Sequence, residues 1–113
     1  MSVPVICVSL VRAAPARFET FRELMSRSRA AFASGLQSMP GARSYLAGAD
    51  PVTGSLINVS LWDTLEDARR MESFRPMHDL ALQFAELGAW FERPVMRHAT
   101  LWRFDTAHGR ESS

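Results

Sequence analysis

Apolar and polar positions alternate most regularly from Leu56 to Thr64. Ile57, Val59 and Leu61 fall on one side of an extended chain, and Leu56, Asn58, Ser60 and Trp62 fall on the other. That period of two predicts a strand with a different environment on each face. Thr64, with Asp67 three residues on, predicts a capped helix start straight after it. We expect Ile57, Val59 and Leu61 to pack under helices, and Asn58, Ser60 and Trp62 to look across into a cavity.

The same reading extends along the chain. Val3 to Val11 is rich in β-branched residues and predicts a first strand. Pro15 suits the first turn of a helix, and Phe18, Phe21, Met25, Ser28, Phe32 and Leu36 then recur at spacings of three and four. One long helix to about Ser38 is predicted, ended by Pro40-Gly41. Ala42 to Ala49 predicts a second strand, joined through the turn Asp50-Pro51-Val52-Thr53-Gly54 to the Leu56–Thr64 strand. A second helix starts at Thr64, breaks near Pro76 and restarts there with Met77, Leu80, Ala81, Phe84 and Leu87 as its apolar stripe. Pro94 to Phe104 predicts the last strand.

This order is βαββαβ, a ferredoxin-like α+β arrangement: a four-stranded antiparallel sheet with two helices on one face. Residues 1–105 form the expected domain, and 106–113 a flexible polar tail. A chain of 113 residues has difficulty covering its apolar surface alone. The second sheet face is apolar or aromatic, which predicts a homodimer with a cavity between two sheets.

Charge and composition narrow the chemistry. The formal net charge of +1 gives no case for nucleic acid or a membrane surface as partner. All 13 basic residues are arginine, which excludes a Schiff-base or P-loop lysine. The single cysteine, Cys7, is expected as a buried thiol. No signal peptide and no apolar run of membrane-spanning length is read, so a cytoplasmic protein is expected. No metal site is expected, since neither H-x-x-x-H nor C-x-x-C occurs.

The candidate site residues follow from strand parity. Asn58 and Trp62 lie four apart on one strand face and can aim at one cavity. His98 alternates with Met96 and Thr100 in the last strand, and that face is favoured for the cavity, with His98 as a candidate general base. Tyr45 is a candidate to orient a ligand, and Arg43 and Arg97 could meet an acidic or phenolic one. Ser60 shares the face of Asn58. Phe74, Trp90 and Phe91 are candidates for the mouth of the pocket.

Met39-Pro40-Gly41, Asn58-Val59-Ser60-Leu61-Trp62, the helix restart near Met77-His78 and Thr100-Leu101-Trp102 together resemble the dimeric α/β-barrel superfamily. Within it, the chain is similar to the antibiotic-biosynthesis-monooxygenase-like domains, over Val3 to Phe104. The resemblance implies cofactor-independent oxygenation of an aromatic or quinone-like small molecule, such as an aromatic polyketide. It implies that Asn58 and Trp62 hold the substrate and stabilise its oxyanion. The superfamily also includes proteins with no assigned activity, so a barrel that binds an apolar ligand without reaction stays open. It includes haem-degrading oxygenases too, and His78 resembles in position their helix histidine. That branch also uses an asparagine on the first strand, where this chain offers Cys7 and Ser9. No cofactor is therefore expected, and His78 is carried as a substrate-binding candidate.

Overall fold

A computed structural model describes residues 3–91 and 95–106. Strand β1 spans Val5–Arg12. A single 3-10 turn at Pro15–Arg17 leads into helix α1, Phe18–Arg27, and helix α2, Arg29–Leu36. Strands β2, Ala42–Asp50, and β3, Ser55–Trp62, form a hairpin. Helix α3, Leu65–Arg69, passes through a 3-10 segment, Arg70–Ser73, into helix α4, Arg75–Glu86. Strands β4, Trp90–Phe91, and β5, Met96–Ala99, follow.

The sheet is antiparallel, in the order β2-β3-β1, with β4 and β5 both on the outer edge of β1. This is the ferredoxin-like α+β plan, with two departures from the sequence expectation. The long first helix is divided at Ser28, whose hydroxyl donates to the Met25 carbonyl at 2.6 Å. A serine bonded back onto the preceding turn competes with the helix's own ladder and bends it. The last strand stops at Ala99 instead of running to Phe104. Thr100 N–H donates to the Pro4 carbonyl at 2.8 Å, and the described residues beyond, 101–106, carry no strand. The polar tail expected from residue 106 lies outside the described residues, apart from Thr106.

Local signals act where the sequence put them. Thr64 caps α3, its hydroxyl accepting from Asp67 N–H at 3.0 Å. Pro76 stands in the first turn of α4, where a missing N–H breaks no helical bond. Asp50 accepts from Val52 N–H and from the Thr53 hydroxyl, both at 3.0 Å, and so builds the hairpin turn. Gly54 completes it with φ of 70°, a conformation that side chains disfavour.

The helices cover the face of the sheet that carries Val5, Cys7 and Val11 of β1 and Leu56, Ser60 and Trp62 of β3. This inverts the expectation for β3. Ile57, Val59 and Leu61 lie on the uncovered face, and Trp62, 1% exposed, is packed beneath α3. The reason is volume. Trp62 and Leu56 are the two bulky apolar residues at the ends of their face, and both are almost fully buried against the helices.

Two apolar clusters hold the layers together. The larger joins Val11 and Leu56 of the sheet to Phe18, Phe21, Met25, Phe32, Leu80 and Phe84 of the helices. Phe21 and Phe84 meet edge to face at 5.0 Å between ring centres. The smaller joins Val5, Cys7 and Trp62 to Ala68.

Candidate functional site

Strand register divides the helix-facing side of the sheet into cross-strand rows. One outer row holds Trp62 and Val5 with Ala42 and Ala99, and the other holds Leu56 and Val11 with Ala49 and Phe91. Between them run two rows of a different character. The first is Tyr45, Ser60, Cys7 and Arg97, taken from β2 through β3 and β1 to β5. The second holds Ala47, Asn58 and Ser9.

The outer rows bring Trp62 and Val5, and Leu56 and Val11, into the buried layer against the helices. The inner rows carry mostly small or polar side chains, which do not fill the same depth. A cavity of about 420 Å³ results. Its floor includes Tyr45, Ser60, Cys7, Asn58, Ser9 and Arg97, and its roof includes Met71, Met77, His78 and Ala81. Phe91 and Val95 line its side. The methionines give the roof a pliable apolar surface suited to a flat ligand. Tyr45 and Asn58 also line a second cleft, between the first two helices and the edge strand β2, so they stand on the wall between the two.

The polar groups of the floor are unequally engaged. Ser60 Oγ accepts from the Trp62 indole Nε1–H at 2.9 Å. Arg97 Nη2 donates to Glu72 Oε2 at 2.9 Å, while Arg97 Nε is buried and has no hydrogen-bond partner among the described residues. The Tyr45 hydroxyl is in the same condition. Burial pushes the Tyr45 pKa up, because the phenolate would be desolvated. Burial also raises the Cys7 pKa, opposed by the nearby Arg97 charge and by hydrogen bonds to Ser60 and Arg97. Cys7 is therefore a thiol at neutral pH, not a nucleophilic thiolate. His78 Nε2 faces the Glu72 backbone carbonyl. A carbonyl can only accept, so Nε2 carries a proton.

Of the residues singled out from the sequence, Asn58, Tyr45, Ser60, His78, Arg97 and Phe91 meet on this one cavity. The cavity lies between sheet and helices of one chain, whereas the sequence pointed to the opposite sheet face. The others lie elsewhere. Trp62 is packed below α3 and reaches the site only through Ser60. His98 pairs with Ile6 and so projects from the uncovered face. It lines a separate depression beside Val3 and Leu65. Thr100 follows the end of β5, with its hydroxyl buried and unpartnered among the described residues. Trp90 pairs with Arg12 on β4 and is exposed.

On the last strand Arg97 turns to this sheet–helix cavity, and His98 lies on the uncovered face. Cys7 and Ser9 are floor residues that the candidate set lacked, and they stand beside Arg97, which the sequence offered as a partner for an acidic or phenolic ligand. The run of small and polar residues on one parity of β1, Cys7 and Ser9, was the available signal.

A haem group does not fit this donor set. His78 Nε2 is held by a carbonyl, and the facing strand offers Cys7 and Ser9 beneath a guanidinium. Among the described residues, no group of three His, Cys, Asp or Glu side chains could hold a metal ion, and no helix is long and apolar enough to cross a membrane.

No family model and no curated protein matches the sequence. Solved structures do match the fold. A proposed antibiotic biosynthesis monooxygenase from Deinococcus radiodurans aligns with a TM-score of 0.69 at 14% identity, over 90% of this chain and 97% of that one. A second, from Nitrosomonas europaea, aligns at 0.67 and 11% identity, over 90% and 94%. A third, from Chloroflexus aurantiacus, aligns at 0.62 and 17% identity, over 90% and 97%. The chain shares the fold of antibiotic-biosynthesis-monooxygenase-like proteins.

Proposed function

We propose that this protein is a small-molecule oxygenase acting on a flat aromatic or quinone-like substrate inside the sheet–helix cavity, with no resident cofactor. One observation carries the reading. Asn58, Tyr45, Ser60 and His78, from two strands and a helix, converge on an apolar cavity of about 420 Å³. The names of the structures that share the fold support the same class of chemistry.

The physical requirement is an ionised substrate. A phenol, enol or activated methylene must lose a proton before its carbanion or enolate can pass an electron to oxygen. The amide of Asn58 is a donor for the resulting oxyanion beneath an apolar roof. His78 is the histidine on this cavity, so in this reading the proton-accepting role assigned to His98 from the sequence moves to His78. Molecular oxygen supplies the oxidant. One of its atoms enters the substrate and the other leaves as water.

Oxygen uptake with a reduced anthrone or quinol tests this. The reading requires uptake by the wild type that falls strongly in Asn58→Ala and in His78→Ala. Tight binding of the anthrone with no uptake would favour a non-catalytic ligand-binding barrel instead.

The reading includes a homodimer. Ile6, Val8, Leu10, Ile57, Val59 and Leu61 form an apolar surface opposite the helices. Beyond it Leu101, Trp102 and Phe104 are 95%, 79% and 76% exposed. A second copy packing sheet to sheet would cover such a surface, which is large for a lone small domain.

A further inference from the structure

The inner row of the cavity floor ends in two unsatisfied donors. Tyr45, Ser60, Cys7 and Arg97 sit at consecutive register positions on four neighbouring strands. The middle of the row is internally engaged: Ser60 accepts from Trp62 and lies within hydrogen-bond reach of Cys7. Its two ends each keep one donor without a partner among the described residues, although Arg97 also reaches the Cys7 thiol and pairs with Glu72. The Tyr45 hydroxyl and Arg97 Nε are both buried without a partner among the described residues. A buried donor left unpaired carries a penalty of roughly 1–3 kcal/mol, more for a charged one, and native structures hold few of them. Two on one row of one cavity indicate partners that arrive with a ligand.

Spacing and polarity define that ligand. Three interstrand steps of about 4.8 Å put the row's end strands roughly 14 Å apart. Between the ends the roof is Met71, Met77 and Ala81. The fitting molecule is elongated, flat and apolar in its middle, with an oxygen at each end. The two ends differ. Arg97 is a permanent cation with planar donors, which favours an oxygen bearing negative charge. Its present counter-ion, Glu72, has a side chain 62% exposed. An ion pair so open to water holds weakly and can yield one guanidinium edge to a ligand. Tyr45 stays protonated and offers an O–H to a neutral oxygen.

We infer that the cavity takes an elongated aromatic acid, with its acidic oxygen on the Arg97 guanidinium and a hydroxyl or carbonyl oxygen on the Tyr45 hydroxyl. The acidic oxygen is a carboxylate or an ionised phenol. This rests on the aromatic-cavity reading above and names the class of molecule, making Arg97 and Tyr45 the specificity determinants.

Calorimetric binding to the full chain tests it without turnover. The probes are a hydroxynaphthoate with its two groups at opposite ends of the rings, the unsubstituted naphthoate, its methyl ester, and naphthol above and below its ionisation pH. The acid should bind about tenfold or more tighter than the ester, as a charge-assisted hydrogen bond implies. Arg97→Gln should erase that preference. Tyr45→Phe should keep it and erase the gain from the distal hydroxyl. Preference for naphthoate identifies the carboxylate source, and preference for ionised naphthol over naphthoate the phenolate source. Equal binding of acid and ester by the wild type, or a preference that survives Arg97→Gln, overturns the inference.

A second measurement needs no variant. Cys7 lies mid-row on the cavity floor, so saturating naphthoate should slow its alkylation at least several-fold. Binding that leaves the alkylation rate unchanged places the ligand elsewhere and overturns the inference. Failure here is separable from failure of the oxygenase reading. Oxygen uptake without acid preference sinks the inference alone, and acid preference without uptake sinks the oxygenase alone.

Discussion

The indole Nε1–H of Trp62 donates to the hydroxyl of Ser60 across 2.9 Å, inside the layer between sheet and helices. An indole that could have met a substrate oxyanion is thus committed to the protein's own floor. Ser60 in turn is held in one orientation on the inner row. Trp62→Phe keeps the aromatic packing and removes this donor. It should lower stability by about 1–2 kcal/mol, read from urea unfolding, while changing ligand affinity less than Asn58→Ala does. A larger effect of Trp62→Phe on affinity than on stability would return the indole to the ligand.

The two candidate histidines, His78 and His98, separate by face. His98 pairs with Ile6 on the uncovered side, and His78 lines the cavity. His98→Ala should leave oxygen uptake within about twofold of wild type, and His78→Ala should lower it by 10²-fold or more, the usual scale of a general base. The reverse order in a rate assay would put the reacting group on the other sheet face.

Tyr45 is the chain's single tyrosine, so its ionisation can be followed directly by near-ultraviolet absorbance. Burial raises its pKa above the ordinary 10.0. In the folded protein the phenolate band should be missing at a pH where the urea-unfolded chain shows it. The sign for stability follows. Above pH 10.0 the unfolded state sheds a proton that the folded state keeps, so stability falls as pH rises from there toward the folded pKa. Tyr45→Phe should abolish that part of the decline.

Cys7 should react slowly with iodoacetamide at neutral pH, its rate rising only above the ordinary thiol range, because burial raises its pKa. Arg97 opposes that rise. Arg97→Gln should therefore push the alkylation profile to still higher pH. A profile that moves down instead would show that the guanidinium does not act on the thiol.

The uncovered sheet face predicts an oligomer. Leu61→Asp places a charge within it, where a partner's sheet would have to desolvate it. Light scattering should give a dimer mass for the wild type and a monomer mass for this variant, with α-helical circular dichroism retained. A monomeric wild type at micromolar concentration would remove the sheet-to-sheet dimer.

The sequence by itself determined the local elements. Alternation in Leu56–Trp62, the Thr64 cap, the Asp50 turn and the Pro76 restart depend on neighbours within a few residues, and each stands where its chemistry put it. The set Tyr45, Asn58 and Ser60 was legible as well, because same-face residues on hairpin strands stay together whatever covers them. Tertiary structure decided which face the helices cover. A period of two marks two faces but carries no information about which one is roofed, and volume at Trp62 and Leu56 settled it. Pairing register decided the last strand: Cys7 opposite Arg97 and Ile6 opposite His98 fixed its parity. One residue of slip would exchange the two, since every step along a strand reverses the side chain. That long-range pairing brings the guanidinium to one end of the floor and leaves the imidazole of His98 outside.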